Sequence, residues 1–199
     1  MSAIIETKNA ISTGSRILVK NIDKLVVSKN STSNCTDHAF ITFYYRRFVR
    51  LRPFISQRQM IQETYMNYIK YKFKYEDYEE RRRLVLGEKM TGKQISVREQ
   101  LSRTYDFLFT AVSHIENDNV TLNKDISMAK QVFKNILTIE YFKAESNEKI
   151  GNDDYYQYRI VFRQLRGNNR TNNNNNKDSA IGEFDKVVTY LNETLGTRL

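Results

Sequence analysis

The sequence predicts an all-α fold, a bundle of about four to five helices organised around a basic helical hairpin. Residues 39–73 carry two apolar stripes with helical spacing, one on each side of the chain's only proline, Pro53. Two further amphipathic segments follow, at about 96–117 and 124–143. With 199 residues, 40% hydrophobic and 28% charged, the chain can form one domain with a substantial core.

Residues 1–35 are predicted to be a flexible segment, because Ser, Thr, Asn and Lys surround isolated aliphatic residues. Its first twenty residues hold three cations and a single acid, Glu6, which is compatible with a mitochondrial targeting sequence. The arginine-rich amphipathic pattern of a strong targeting sequence is absent. Residues 17–27 could instead form a short strand or helix against the body.

The bundle is predicted over residues 36–145, beginning with the hairpin. Pro53 should end its first helix and move Arg52 out of helical geometry, and Ser56 is a good N-cap for the second helix. Inward stripes are expected at Phe40, Ile41, Tyr44, Phe48 and Leu51, and then at Ile61, Tyr65, Ile69 and Phe73.

The second helix is predicted to run on to Leu86, with the charges of residues 76–83 forming a solvated, self-paired face. Ser96 and Glu99 have the spacing of a capping box and predict the start of the third helix. The inward residues expected in the third and fourth helices are Leu101, Tyr105, Leu108, Phe109, Val112 and Ile115, and then Ile126, Ala129, Val132 or Phe133, Ile136, Leu137, Ile139 or Glu140, and Tyr141.

Residues 146–182 are predicted to be irregular, since residues 168–176 contain seven asparagines and can bury little surface. Residues 183–199 should form a last helix that packs on the bundle and ends at Gly196. The apolar side expected for this helix consists of Phe184, Val187, Val188 and Leu191.

Residues with catalytic chemistry are scarce, and we predict a protein that is not an enzyme and has no cofactor or metal. Cys35 is the only cysteine, and His38 and His114 are the only histidines, without a second ligand at metal-binding spacing. There is no glycine-rich phosphate loop. No apolar run approaches the ~18 residues of a membrane span, so we expect a soluble or peripheral protein.

The net charge of +9 predicts an anionic partner, such as nucleic acid, an acidic protein or a membrane surface. The candidate anion contacts are Arg46, Arg47, Arg50 and Lys70 on the hairpin. They could contact nucleic-acid phosphates while neighbouring tyrosines stack on bases. Alternatively, the aromatic residues are bundle core and the arginines are its solvated side.

Three segments resemble the fungal family of increased recombination centers protein 19, also called required for respiratory growth protein 4. They are the sequence FYYRRFVRLRPFIS at 43–56, residues 65–73 and the sequence YLNETLGTRL at 190–199. The resemblance implies a non-enzymatic role in maintaining mitochondrial DNA and respiratory competence. It also implies a mitochondrial location and a link to sporulation and genome integrity, with no catalytic residues.

The hairpin is more distantly similar to the mitochondrial Leu-Tyr-Arg motif proteins, small helical bundles that bind acyl carrier protein. Tyr45 and Arg46 match the Tyr-Arg of the motif, Phe73 matches its downstream phenylalanine, and Tyr44 stands where leucine is expected. The resemblance implies that Arg46 and Arg50, with Lys70, pair with the phosphopantetheine phosphate. The acyl chain would then lie among Phe48, Tyr65 and Phe73.

Overall fold

The chain is mostly helical, as predicted, in a computed structural model that describes residues 4–13, 16–27, 35–86, 95–113, 120–150 and 176–199. A small antiparallel sheet precedes the helices. Its strands are β1 (Ile4–Glu6), β2 (Ala10–Thr13) and β3 (Arg16–Val19). The helices are α1 (Ile22–Leu25), α2 (Asp37–Ile55), α3 (Gln59–Lys74), α4 (Tyr78–Leu86), α5 (Val97–Val112), α6 (Val120–Ile150) and α7 (Asn176–Leu195).

The N-terminal region is folded, so the prediction of a flexible segment is wrong for residues 4–13 and 16–27. The strands form a meander in the order β1-β2-β3, with Ile4 opposite Thr13 and Ala10 opposite Val19. Ala10 and Leu25 are fully buried in the core. Burial of these apolar side chains stabilises a segment whose strands are too short to be stable alone.

The hairpin of α2 and α3 lies at the centre of the bundle. Thr36 caps α2 by accepting a hydrogen bond from the Ala39 amide at 3.3 Å. The first predicted stripe is confirmed except for Ile41, which is 40% exposed. In α3, Tyr65 and Ile69 are buried, whereas Ile61 and Phe73 are half-buried against the core.

Pro53 lies inside α2, so the prediction that it ends the helix and displaces Arg52 is wrong. A proline in the last turn removes one hydrogen bond, while Phe54 beyond it is buried. Burying a phenylalanine contributes about 1.5–3 kcal/mol, more than the roughly 0.5–1.5 kcal/mol of one hydrogen bond. Ser56 ends α2, and Arg58, not Ser56, is the N-cap of α3.

The second hairpin helix ends at Lys74, earlier than predicted, and α4 is a separate helix. Its charges are not simply a self-paired surface. Arg82 forms a two-pronged pair with Glu193 of α7, with nitrogen–oxygen distances of 2.7 and 3.0 Å. Arg82 therefore connects α4 to α7, which is distant in sequence. Arg82 also makes a weaker contact with Glu79 of its own helix, at 3.9 Å.

Helices α5 and α6 confirm the predicted stripes where the structure describes them. Ser96 accepts a hydrogen bond from the Glu99 amide at 3.2 Å, as the capping box predicts. Tyr105 of α5 is buried, with its ring edge-on to Tyr44 and Phe48. On α6, Phe133 and Glu140 are the buried members of their alternative pairs; Ile115 lies outside the described residues.

Helices α6 and α7 both extend into the range predicted to be irregular, reaching Ile150 and beginning at Asn176. Residues 151–175, with most of the asparagine-rich tract, lie outside the described residues. Gly196 has φ +65°, the left-handed conformation of a helix C-terminus. The prediction for α7 is wrong at Val187, which is 61% exposed.

Candidate functional site

The predicted anion contacts occupy different positions on the hairpin. Arg46 is exposed on α2, and Lys70 is exposed on α3. Arg50 is half-buried and lies beside α1, where it donates a long hydrogen bond of 3.4 Å to the carbonyl of Lys24. Arg46 and Arg50 are one helical turn apart and therefore share one side of α2.

Arg47 does not belong to this exposed group. It is only 6% exposed, and its guanidinium carbon lies 3.2 Å from the ring centroid of Phe43. Helical spacing predicted that Arg47 lies beside the apolar stripe of α2 and not within it. Because both α1 and α5 pack on α2, the buried side of the helix is wider than the stripe and includes Arg47. Arg47 therefore contributes a cation–π contact to the fold, and its prediction as an exposed anion contact is wrong.

The aromatic residues of the Tyr-Arg motif are packed against the bundle. Tyr45 is half-buried, with its ring centroid 5.2 Å from that of Phe73. The Tyr44 hydroxyl donates to Ser102 at 3.0 Å, and burial raises the pKa of Tyr44. These contacts hold the segment that presents Arg46.

The predicted acyl path among Phe48, Tyr65 and Phe73 is largely closed. Phe48 and Tyr65 are 1% and 0% exposed, and the Tyr65 hydroxyl donates to the Phe48 carbonyl at 2.7 Å. A cavity of about 180 Å³ borders Phe48 and Phe73. Tyr65 does not line it, so the three rings do not surround one channel.

The exposed hairpin cations differ from the other cations in their pairing. Residues 37–74 contain eight Lys and Arg and only two acids, Asp37 and Glu63. Among the described residues, Arg46, Arg50, Arg58 and Lys70 form no ion pair. By contrast, the cations that pair with carboxylates include Lys72, Arg81, Arg82, Arg98, Arg103, Lys143, Lys186 and Arg198.

Arg58 is a further exposed cation of the hairpin that was not predicted as an anion contact. It is exposed at the N-cap position of α3, in the turn of the hairpin. The incorrect assignment of the cap to Ser56 placed Arg58 inside a helix. Its position within a stretch free of acids was the available signal. The exposed cationic set of the hairpin is therefore Arg46, Arg58 and Lys70, with Arg50 at its edge.

A metal site is not formed by the described residues, since no three of their His, Cys, Asp and Glu side chains lie together. His38 is exposed at the start of α2, Cys35 is half-buried, and His114 lies outside the described residues. None of the helices in the described ranges is long and apolar enough to cross a membrane.

Comparison with known proteins places the chain in a family. The family model described as increased recombination centres protein 19 matches residues 5–199. The chain belongs to this family. Relatives named increased recombination centers protein 19 occur in Vanderwaltozyma polyspora, Candida glabrata and Saccharomyces cerevisiae, with 35%, 32% and 29% identity. These matches cover 98%, 98% and 100% of this chain, and 96%, 96% and 98% of the relatives.

The predicted resemblance to the increased recombination centers family is thus confirmed over nearly the whole chain. No solved structure matches the chain significantly. The similarity to the Leu-Tyr-Arg motif proteins remains a prediction.

Proposed function

We propose that the protein acts without catalysis in genome integrity, supporting mitochondrial DNA and respiratory growth by binding an acidic partner through the hairpin. The observation that carries the proposal is the exposed set Arg46, Arg58 and Lys70, which have no carboxylate partner among the described residues. Relatives named for increased recombination centers support the role in genome integrity. A mitochondrial location and a contribution to sporulation are part of the same proposal.

Among the described residues, the positive charge of Arg46, Arg58 and Lys70 is not compensated by a carboxylate. Cations that already face a carboxylate gain less from a second anion than cations that face only water. The paired cations of α4, α5 and α6 stabilise the fold, whereas Arg46, Arg58 and Lys70 are available to an anionic surface. Such a surface would steer encounter with an acidic partner and give an interaction sensitive to salt.

Charge reversal on the hairpin tests the proposal in cells. The chain is expressed in Saccharomyces cerevisiae lacking its own relative, and respiration-deficient colonies and mitochondrial DNA content are counted. We expect the wild-type chain to restore respiratory growth. The double variant Arg46→Glu, Lys70→Glu should fail to do so, because it reverses two of the three charges of the docking face, by which we mean the exposed hairpin cations Arg46, Arg58 and Lys70.

The matched control is Arg83→Glu with Lys124→Glu, which changes the net charge equally at exposed residues on α4 and α6. This control should complement like the wild type, and both proteins should be recovered at equal levels. Full complementation by the hairpin variant would contradict the docking role of the hairpin. A wild-type chain that restores nothing would contradict the function itself.

A more specific candidate function is that of an adaptor for acyl carrier protein. The observation favouring it is the contact of Tyr45 with Phe73, which holds Arg46 at the surface beside a packed aromatic pair. An acyl carrier protein is acidic and carries a phosphate, which arginine can bind in a bidentate manner.

Affinity purification tests binding to acyl carrier protein, and the salt dependence of DNA binding tests direct contact with nucleic acid. For the adaptor, acyl carrier protein should copurify with the wild-type chain and be lost with Arg46→Ala, but be kept with Arg83→Ala. For direct nucleic-acid binding, affinity for a DNA duplex should fall tenfold or more between low and moderate salt. Equal recovery of the carrier with Arg46→Ala excludes the adaptor, and salt-independent affinity excludes the nucleic-acid interface.

A further inference from the structure

A groove of about 530 Å³ lies at the turn end of the hairpin, away from the Tyr-Arg motif. It is bordered by the end of α2, the first turns of α3, the end of α5 and the middle of α6. The volume lies in the range of small-molecule sites, roughly 300–1,000 Å³. It is distinct from the smaller cavity beside Phe73.

The inner surface of the groove is apolar. Phe54, Phe133 and Leu137 are buried at its base, and Met60 is 47% exposed at its rim. Covering an apolar side chain that is this exposed lowers the free energy, because it removes apolar surface from water.

The polar residues of the groove divide into hydroxyls and ammonium groups. The Thr64 hydroxyl donates to the Met60 carbonyl at 2.9 Å, and the Thr138 hydroxyl donates to the Lys134 carbonyl at 2.9 Å. The charged groups that border the groove are Lys134 and Lys130. Lys130 also takes part in another contact within the chain, but a lysine ammonium has three protons and can donate to more than one acceptor. None of the residues that line it is an Asp or a Glu.

The two lysines lie at one end of a stripe along α6. Lys130, Lys134, Leu137 and Tyr141 follow helical spacing, so they lie on one side of the helix and all border the groove. From Lys130 to Tyr141 the helix rises ~16 Å. The groove therefore has a cationic end followed by an apolar length, which matches a molecule with an anionic head and one apolar chain.

We propose that this groove binds the anion of a fatty acid with a chain about as long as that of dodecanoate. The carboxylate lies between the ammonium groups of Lys130 and Lys134, and the alkyl chain runs past Leu137 toward Tyr141 over Phe133. The carboxylate oxygens accept charge-assisted hydrogen bonds, and the chain replaces water at Met60 and Phe54. This site is separate from the docking face of the hairpin, and its existence does not depend on the proposed function.

Dodecanoate labelled with ¹³C at its carboxyl carbon tests the proposal on the full chain. Below its micellar concentration it should bind saturably with one molecule per chain, as measured by calorimetry and by the carboxyl resonance. Lengthening the chain from octanoate to dodecanoate should tighten binding by roughly fourfold per methylene group. Dodecyltrimethylammonium, of similar length and opposite charge, should bind at least tenfold more weakly.

Variants separate the head of the site from its apolar length. Lys130→Gln with Lys134→Gln should weaken dodecanoate tenfold or more while leaving dodecanol within about twofold, since dodecanol has no charge to lose. Thr138→Trp, at an exposed position on the groove wall, should weaken both ligands by filling the space. Lys124→Gln, an exposed lysine of the same helix outside the groove, is the matched control and should change neither.

Three results would overturn the proposal: no saturable binding to the full chain, equal affinity for the cationic amphiphile, or dodecanoate binding unaffected by the lysine pair. If the chain's own residues fill the groove, dodecanoate will not bind, and this result also overturns the proposal. Circular dichroism establishes that each variant is folded, and the lysine pair decides the outcome if Thr138→Trp is unfolded.

Discussion

The most tightly enclosed charge among the described residues belongs to Lys143 of α6. Its side chain is 2% exposed, and its ammonium nitrogen lies 2.8 Å from carboxylate oxygens of both Glu140 and Asp185. The buried carboxylate of Glu140 and the half-buried carboxylate of Asp185 compensate part of the cost of removing the Lys143 ammonium from water. Because Asp185 belongs to α7, this cluster favours one placement of α7 on α6.

Replacing Lys143 with methionine should lower the free energy of unfolding by about 3–5 kcal/mol, since it removes the cation that Glu140 and Asp185 both contact. Urea unfolding followed by circular dichroism measures the loss. The matched control is Lys186→Met, because Lys186 pairs with Glu183 at the same three-residue spacing but both side chains are exposed. The control should lose under about 1 kcal/mol, and equal losses would contradict a special cost of burial.

At the scale of elements, ion pairs connect helices that are distant in sequence. From Asp185 the chain of contacts continues to Arg81 of α4 at 3.8 Å and from Arg81 to Glu76 at 2.8 Å. Glu76 also pairs with Lys72 of α3 at 2.7 Å. Helices α3, α4, α6 and α7 thus meet along one continuous line of partly and fully buried charges.

The start of α5 depends on a local device, the cap at Ser96. Ser96→Ala should destabilise the protein by about 1 kcal/mol, because the Glu99 amide loses its acceptor. Ser96→Asp, which retains an acceptor at the cap, should stay close to the wild type. Thermal unfolding of the three proteins measures the effect. An Ala variant as stable as the Asp variant would show that the hydrogen bond contributes nothing.

The whole molecule has a core with many tyrosines, and its hydroxyls are satisfied internally. Tyr65 donates to the Phe48 carbonyl at 2.7 Å, and Tyr105 donates to the Leu25 carbonyl at 2.5 Å. Burial raises the pKa of both tyrosines, and that of Tyr65 lies well above its usual value near 10. The unfolded chain therefore releases these protons at a lower pH than the folded chain.

The stability that the buried tyrosines contribute is present below pH 10 and is lost as the pH rises from there toward the folded-state pKa values. Tyr65→Phe should reduce the slope of unfolding free energy against pH above 10 by up to about 1.4 kcal/mol per pH unit, the contribution of one proton. Urea unfolding between pH 8 and pH 11.5 measures the slope. Tyr190→Phe, at a 51% exposed position, is the control, and equal slopes for the two variants would contradict the argument.

Helical spacing and capping were sufficient to predict the longer helices and most of their buried sides, but not α1 or the separation of α4 from α3. They failed where a neighbouring element decides exposure. Arg47 is covered and Ile41 is open because other elements pack on one flank of α2, which its own sequence does not specify. The N-terminal meander was missed because strands of three or four residues carry little periodic signal.

Two of the exposed hairpin cations could be predicted from the sequence, whereas the groove could not. Arg46 and Lys70 could be predicted, because exposure on the outer side of a helix follows from the position of its apolar stripe. The groove could not be predicted, because Phe54, Ile61, Val112 and Leu137 come from four helices, and only the first two of these residues are close in sequence. Only the packing of α3 and α5 on α6 brings them together.

The last residues of the described chain occupy an interior position. The Leu199 side chain is 1% exposed, and its carbonyl accepts hydrogen bonds from Lys72 and Asn192 at 2.8 and 2.9 Å. Lys72 and Leu199 are 127 residues apart. At about 5–20 residues per second, a ribosome needs roughly 6–25 s to synthesise that interval. During this time the apolar surface that Leu199 later covers stays open to solvent in the emerging polypeptide.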